Sequence, residues 1–230
     1  MQTIVITGAN RGIGLALVRT FLQAGDHVIA ACRAPDKASA LTSLQQAGQS
    51  LEILPLEVTD ASSIGRFAAE LRGRRIDVLV NNAGVMGGPQ QELRDMDYAA
   101  WLRTFEVNTL APFHLSVRLL DSLARAPRPR IVTLSSQMGA FGRELGSGRY
   151  AYRSSKTAVS KVMQVLANEL RARGVIVCPV HPGWVKTDMG GAAAEISPEE
   201  SAAGLHRLIE GLTLEQSGRF WTWDGREHVW

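Results

Sequence analysis

A doubly wound α/β sandwich, one parallel sheet of about seven strands with helices on both faces, is the fold class that this sequence predicts. Three observations predict it. Short apolar runs alternate with helical patterns along the chain, which argues for crossover connections and a sheet covered on both sides. The glycine-rich loops around Gly84 to Gly88 and Gly139 to Gly148 follow expected strands, and in such folds those are ligand-facing positions. A length of 230 residues, 45% of them hydrophobic, suits one large core. Residues 1–230 are therefore expected to form a single domain that also carries the functional site.

The elements follow in order. Strands are expected at Thr3–Thr7, His27–Cys32, 51–56, Val78–Asn81, Arg130–Leu134, 175–180 and 219–221. The first strand runs into a helix in which Ile13, Leu17 and Phe21 recur every four residues. A long helix is expected over 97–126. Another is expected over 151–173, where Val159, Val162, Met163, Leu166 and Leu170 recur at three- and four-residue spacing.

Composition removes several function classes. A charged fraction of 20% without an apolar run of eighteen residues argues against a membrane span. Met1 leads straight into an apolar strand with no signal-peptide pattern, so a cytoplasmic protein is expected. The formal charge is +3, but the arginine groups at 72–75 and 125–130 flank Gly or Pro and lack aromatic platforms. They read as solvated turns, and no nucleic-acid partner is expected. Cys32 and Cys178 lack partners at metal-ligand spacing and read as small buried hydrophobes, so no metal site is expected.

The stretch Thr7-Gly8-Ala9-Asn10-Arg11-Gly12-Ile13-Gly14 stands between a strand and a helix. Missing side chains let such a backbone turn sharply and approach a pyrophosphate, whose charge meets N–H groups at the helix N-terminus. Further along, Tyr150-Ala-Tyr-Arg-Ser-Ser-Lys156 offers two phenols and one ammonium. Residues four apart share a helix face, so Tyr152 can share a site with Lys156, whereas Tyr150 lies outside the helix or out of phase.

These features occur with others in one order: Gly8, Gly12 and Gly14; Asn81-Asn82-Ala83-Gly84; Asn108; Ser136; Tyr152-x-x-x-Lys156; and Pro182-Gly183 followed by Thr187. In that order they resemble the short-chain dehydrogenase/reductase family across nearly the whole chain. The resemblance implies Tyr152 as general acid or base on a carbonyl or alcohol substrate, with its pKa lowered by Lys156 and an oxidised nicotinamide. It implies Ser136 on the substrate oxygen, Lys156 also on the nicotinamide ribose, and Asn108 fixing a water that links Lys156 to solvent. Adjacent residues of a strand face opposite ways, so one of Ser135 and Ser136 can reach the site, and the family register selects Ser136. A serine hydrolase is excluded, since no G-x-S-x-G with a His-Asp pair accompanies either serine.

The same resemblance places the cofactor against Gly8, Asn10, Arg11, Gly12, Ile13 and Gly14, against Asn82, Ala83 and Gly84 at the adenosine ribose, and against Pro182, Val185 and Thr187 at the carboxamide. Val58 is expected to meet the adenine through its backbone. Glu57 stands where the family commonly has Asp, and Asn81 reads equally as a sheet brace or a ligand. NAD-preferring members usually carry an acid at the end of the second strand. Here that position is Cys32, followed by Arg33. With Arg11 this implies NADP(H), through guanidinium groups on the 2′-phosphate.

The stretches Ser135-Ser136-Gln137-Met138-Gly139, Tyr150-Ala-Tyr-Arg153, His181-Pro-Gly-Trp184 and 218–225 are most similar to the carbonyl-reductase branch that includes the sniffer and C-factor proteins. A pocket either open or lidded by a mobile loop is expected, because little chain lies between Thr187 and Pro198. The helices over 97–126 and 151–173 resemble a family dimer interface, so a homodimer is expected. A nucleotide-binding regulatory protein with little turnover is the alternative function on this fold.

Overall fold

The computed structural model describes residues 1–142 and 146–230. Its elements run β1 (Thr3–Thr7), α1 (Gly12–Gln23), β2 (His27–Cys32), α2 (Ser39–Gln46), β3 (Leu51–Pro55), α3 (Ala61–Glu70) and β4 (Val78–Asn81). A small antiparallel hairpin follows, β5 (Gln91–Glu92) with β6 (Asp95–Met96). The second half comprises α4 (Tyr98–Phe105), α5 (Ala111–Arg118), α6 (Leu120–Leu123), β7 (Arg130–Leu134), α7 (Tyr150–Leu170), β8 (Ile176–His181), α8 (Pro198–Gly211) and β9 (Trp221–Thr222).

Seven strands form one sheet in the order β3-β2-β1-β4-β7-β8-β9, and every neighbouring pair is parallel. The chain winds outward from β1 to β3, then returns to place β4 on the other side of β1. The reversal opens a crevice at the C-terminal ends of β1 and β4, where such folds bind ligands.

Side chains alternate across the sheet and split the core in two. Ile4 and Ile6 of β1 face a cluster with Leu17 and Phe21 of α1 and Leu205 and Ile209 of α8. Val5 between them faces the opposite cluster, with Ile64 and Phe67 of α3, Leu115 of α5, and Met163 and Leu166 of α7. Both faces are thus covered, as near-continuous apolar strands require. Cys32 and Cys178 are buried and unbridged, and burial pushes the Cys178 thiol up to about 12.

Three expectations need correction. The helix over 97–126 is broken: α4 passes into a π-helical turn at Glu106–Leu110 before α5, and α5 ends before α6. Arg130 does not lie in a solvated turn. Its guanidinium is 2% exposed, donates to the Ile209 carbonyl at 3.0 Å and to Glu210 at 3.2 Å, and also meets Gln2. Burial pushes its pKa down. The last strand is displaced to Trp221–Thr222, and the chain after it doubles back along the sheet edge, with Thr222 N donating to Arg226 O at 2.8 Å and His228 N to Phe220 O at 2.7 Å. Among the described residues no helix is long and apolar enough to cross a membrane.

Candidate active site

The turn after β1 is built for close backbone approach. Gly8 and Gly12 have φ of +62° and +52°, which side chains disfavour. A Cβ on Gly14 would stand 2.3 Å from the Gly8 carbonyl oxygen and 2.6 Å from the Asn82 amide, so only glycine fits. The first turn of α1 carries no acid, and Arg11 at its N-cap makes no side-chain cap, so among the described residues no capping side chain accepts from its N–H groups. Such a terminus suits a pyrophosphate, and the residues present fit a dinucleotide.

Thr7 clamps this turn to the one after β4. Its hydroxyl accepts from Asn82 N and Ala83 N, both at 3.0 Å, while the Asn82 side chain donates to the Thr7 and Gly8 carbonyls at 2.8 and 3.0 Å. Sequence reasoning missed Thr7, although it opens the glycine motif. Asn81 is a brace: its amide donates to Ser116 at 3.1 Å and Thr133 at 3.2 Å. The Glu57 carboxylate accepts from the N–H and hydroxyl of Thr59 at 3.1 and 2.9 Å, so it is engaged in its own turn. Val58 is half-buried beside it.

Arg33 is exposed just beyond β2. Arg11 is exposed too, but its guanidinium pairs with Asp188 at 3.0 Å. The Pro182 to Thr187 segment comes close to the glycine turn, since a Cβ on Gly12 would lie 3.2 Å from the Thr187 methyl. Pro182 O accepts from Ser201 at 2.6 Å, and Val185 is buried and bridges to Ile196. The chain between Thr187 and Pro198 is pinned to the segment before it, Glu195 N and Ile196 N donating to Trp184 O at 3.0 and 3.2 Å.

The two serines after β7 face different surroundings. Ser135 is buried against α7, its hydroxyl 2.6 Å from Ser160 and 3.1 Å from the Lys156 carbonyl. Ser136, also buried, accepts from Met138 N at 3.1 Å, and its hydroxyl is near enough to the Tyr152 phenol to favour the phenolate. Gly139 lets this loop lie on α7, because a Cβ there would strike Thr157 N at 2.6 Å. The glycine-rich loop continues through residues 143–145, which lie outside the described residues.

Helix α7 begins at Tyr150, which is 40% exposed, whereas Tyr152 is 8% exposed. The Lys156 ammonium lies 5.8 Å from the Tyr152 ring centre and donates to the Leu134 carbonyl at 2.7 Å. Burial pulls the Lys156 pKa down to about 8. Burial likewise dominates at Tyr152 and raises its pKa, with Ser136 and Arg149 acting in the opposite sense. The expected lowering is thus not a property of the protein alone, since desolvation of the phenolate outweighs the lowering contributions.

Asn108 sits in the π-helical turn, and its side chain is spoken for. It accepts from Val85 N at 2.9 Å and donates to Val85 O at 2.8 Å and to Ser155 at 3.0 Å. It therefore anchors the segment that follows Gly84. Gln91, also missed, donates to Met86 O and Gly88 O at 2.9 and 2.7 Å and accepts from Tyr152 N at 3.2 Å. No local pattern singles out such a long-range brace. Among the described residues no cluster could hold a metal. The assembled groups can polarise an oxygen, exchange a proton with it and cradle a dinucleotide beside it.

The short chain dehydrogenase family model matches residues 2–197. The C-signal protein of Myxococcus xanthus is 39% identical over 164 residues, which are 71% of this chain and 98% of that protein. An NADPH-bound carbonyl reductase from chicken fatty liver is 32% identical, with a TM-score of 0.93 over 100% of this chain and 99% of the other. The carbonyl reductase Sniffer of D. melanogaster is 29% identical, with a TM-score of 0.93 over 100% of both chains. The chain belongs to the short-chain dehydrogenase/reductase family of NAD(P)-binding oxidoreductases, in its carbonyl-reductase branch.

Proposed function

We propose that this protein moves hydride between NADP(H) and a small carbonyl or alcohol substrate, with Tyr152 as the acid and base. One observation carries the reading: Ser136, Tyr152 and Lys156 are buried together at the end of β7, with the ammonium fixed on Leu134 O. A bound nicotinamide cofactor supplies or takes the hydride. The chain's own residues do the rest. Ser136 donates to the substrate oxygen and holds it beside the phenol. Burial keeps Tyr152 neutral, so its proton is available at neutral pH as the oxygen gains charge.

In the alcohol-oxidising direction Tyr152 must instead accept a proton, and the positive charge of Lys156 favours the phenolate. With a pKa of about 8, Lys156 gains or loses its own proton near neutrality. Lys156 also holds the nicotinamide ribose. Since the Asn108 amide is committed to Val85 and Ser155, any share it has in a water path to Lys156 falls to the backbone of its π-helical turn. Gly8, Asn10, Arg11, Gly12, Ile13 and Gly14 hold the phosphates. Val58 and the Asn82-Ala83-Gly84 turn flank the adenosine, and Pro182, Val185 and Thr187 flank the carboxamide.

A regulatory nucleotide-binding protein is the second reading, favoured by the name of one relative, C-signal. NADPH oxidation by the purified protein with a panel of aldehydes, ketones and quinones separates the two. Turnover is expected. NADPH binding without oxidation by any carbonyl would leave the regulatory reading standing and remove ours.

A further inference from the structure

We infer that Arg149 is an anion anchor at the mouth of this site, selecting carbonyl substrates that carry a carboxylate near the reacting group. The inference rests on the carbonyl reductase reading above. Arg149 has φ 55° and ψ 42°, the only non-glycine residue with positive φ among the described residues. A side chain in this left-handed region is strained, and such strain persists where the surroundings over-determine it, often at functional sites. Here the Arg149 carbonyl accepts from Arg153 N at 3.0 Å and starts α7. The backbone is thereby fixed one turn before Tyr152, with Gly148 buried beneath it.

The side chain reaches the segment after β4. Its Nη1 lies 3.5 Å from the Met86 sulfur, on the segment that Asn108 pins through Val85. A thioether is a weak acceptor, so the guanidinium keeps donors to spare. The Glu92 carboxylate is near, 2.7 Å from where a Cβ on Gly148 would stand. Yet among the described residues no ion pair joins Glu92 to Arg149. The charge lies within electrostatic reach of the phenol. An oxygen bound at Ser136 and Tyr152 is therefore also within electrostatic reach of this cation.

The neighbouring rim is largely apolar, with Val85, Tyr150 and Trp184 exposed. Against such a background a planar guanidinium is the group suited to a carboxylate, through charge-assisted paired hydrogen bonds. One such contact corresponds to roughly a ten- to hundredfold gain in affinity.

The probes are 4-carboxybenzaldehyde and its methyl ester, titrated calorimetrically into protein saturated with NADP⁺. The acid is expected to bind the wild type at least about tenfold more tightly than the ester. Arg149→Gly and Arg149→Asn both tolerate the left-handed backbone, so each should keep the wild-type Tm or exceed it while losing that preference. Equal binding of acid and ester to the wild type, no binding of the acid, or a preference that survives both substitutions would overturn the inference. Turnover is read separately: if no carbonyl of the panel oxidises NADPH but the acid still binds through Arg149, the functional reading falls and the anion anchor stands.

Discussion

Replacing Arg33 with alanine is expected to weaken NADPH binding by roughly ten- to hundredfold and to leave NADH binding nearly unchanged. The position just past β2 offers no carboxylate to the ribose hydroxyls, because Cys32 is a buried thiol and Arg33 is an exposed cation. One charge-assisted hydrogen bond to a 2′-phosphate is worth about 1.5–3 kcal/mol, which is the stated factor. Arg11 is the second cation, and it is held 3.0 Å from Asp188. The two side chains are 69% and 83% exposed, and surface pairs of that kind contribute about 0–1 kcal/mol. A phosphate therefore outcompetes Asp188 for Arg11. It follows that Asp188→Ala should tighten NADPH by up to about fivefold, with little change for NADH. Fluorescence titration of both coenzymes against wild type, Arg33→Ala and Asp188→Ala measures all six affinities. Equal wild-type affinities for NADPH and NADH, or parallel losses of both in Arg33→Ala, would refute the reasoning.

Three further outcomes are expected. Tyr152→Phe should lower turnover by about two to four orders of magnitude with coenzyme affinity nearly intact, whereas Tyr150→Phe should be mild; equal losses in steady-state assays would reverse the choice between the phenols. For Lys156 the folded pKa of about 8 lies below the ordinary lysine value of 10.5, so between those values the unfolded chain binds more protons and stability rises with pH. Wild type should therefore gain on Lys156→Met as the pH climbs through that window, by at most about 1.4 kcal/mol per pH unit, and denaturant titrations showing a constant gap would contradict it. We propose a homodimer through the apolar strip of Tyr98, Leu102, Leu110, Phe113, Val117 and Val165, which are 41–71% exposed; light scattering that gave a monomer at micromolar concentration would remove it.

The fold was legible because its signals are local. Apolar runs of strand length and the three- and four-residue spacing of α7 each report how a segment is buried on its own, and the sheet follows from their alternation. Two signals misled. Helical spacing across 97–126 does not reveal the π-helical turn at Asn108, since the inserted register is set by tertiary contacts with Val85 and Ser155. Arginine beside proline at 125–130 suggested a solvated turn, but the charge of Arg130 is met by Gln2, Ile209 and Glu210, which lie 79 to 128 residues away along the chain.

The site divides along the same physical line. Its cofactor half is made mainly by backbone, and backbone demands leave residues in the sequence: Gly14 is there because any Cβ would meet the Gly8 carbonyl at 2.3 Å. The one-turn spacing of Tyr152 and Lys156 is equally local. The substrate half is made by side chains from distant segments, such as Arg149 against Met86, 63 residues apart, and Gln91 against Tyr152, 61 residues apart. No periodicity encodes such pairings. The same asymmetry lets a family keep one reaction while changing its substrates: the glycines are fixed by sterics, while no such steric demand fixes the side chain at a position such as Arg149. If selection among substrates falls to positions that motif reading passes over, Arg149, at a positive φ three residues before Tyr152, is where the proposed selection is tested.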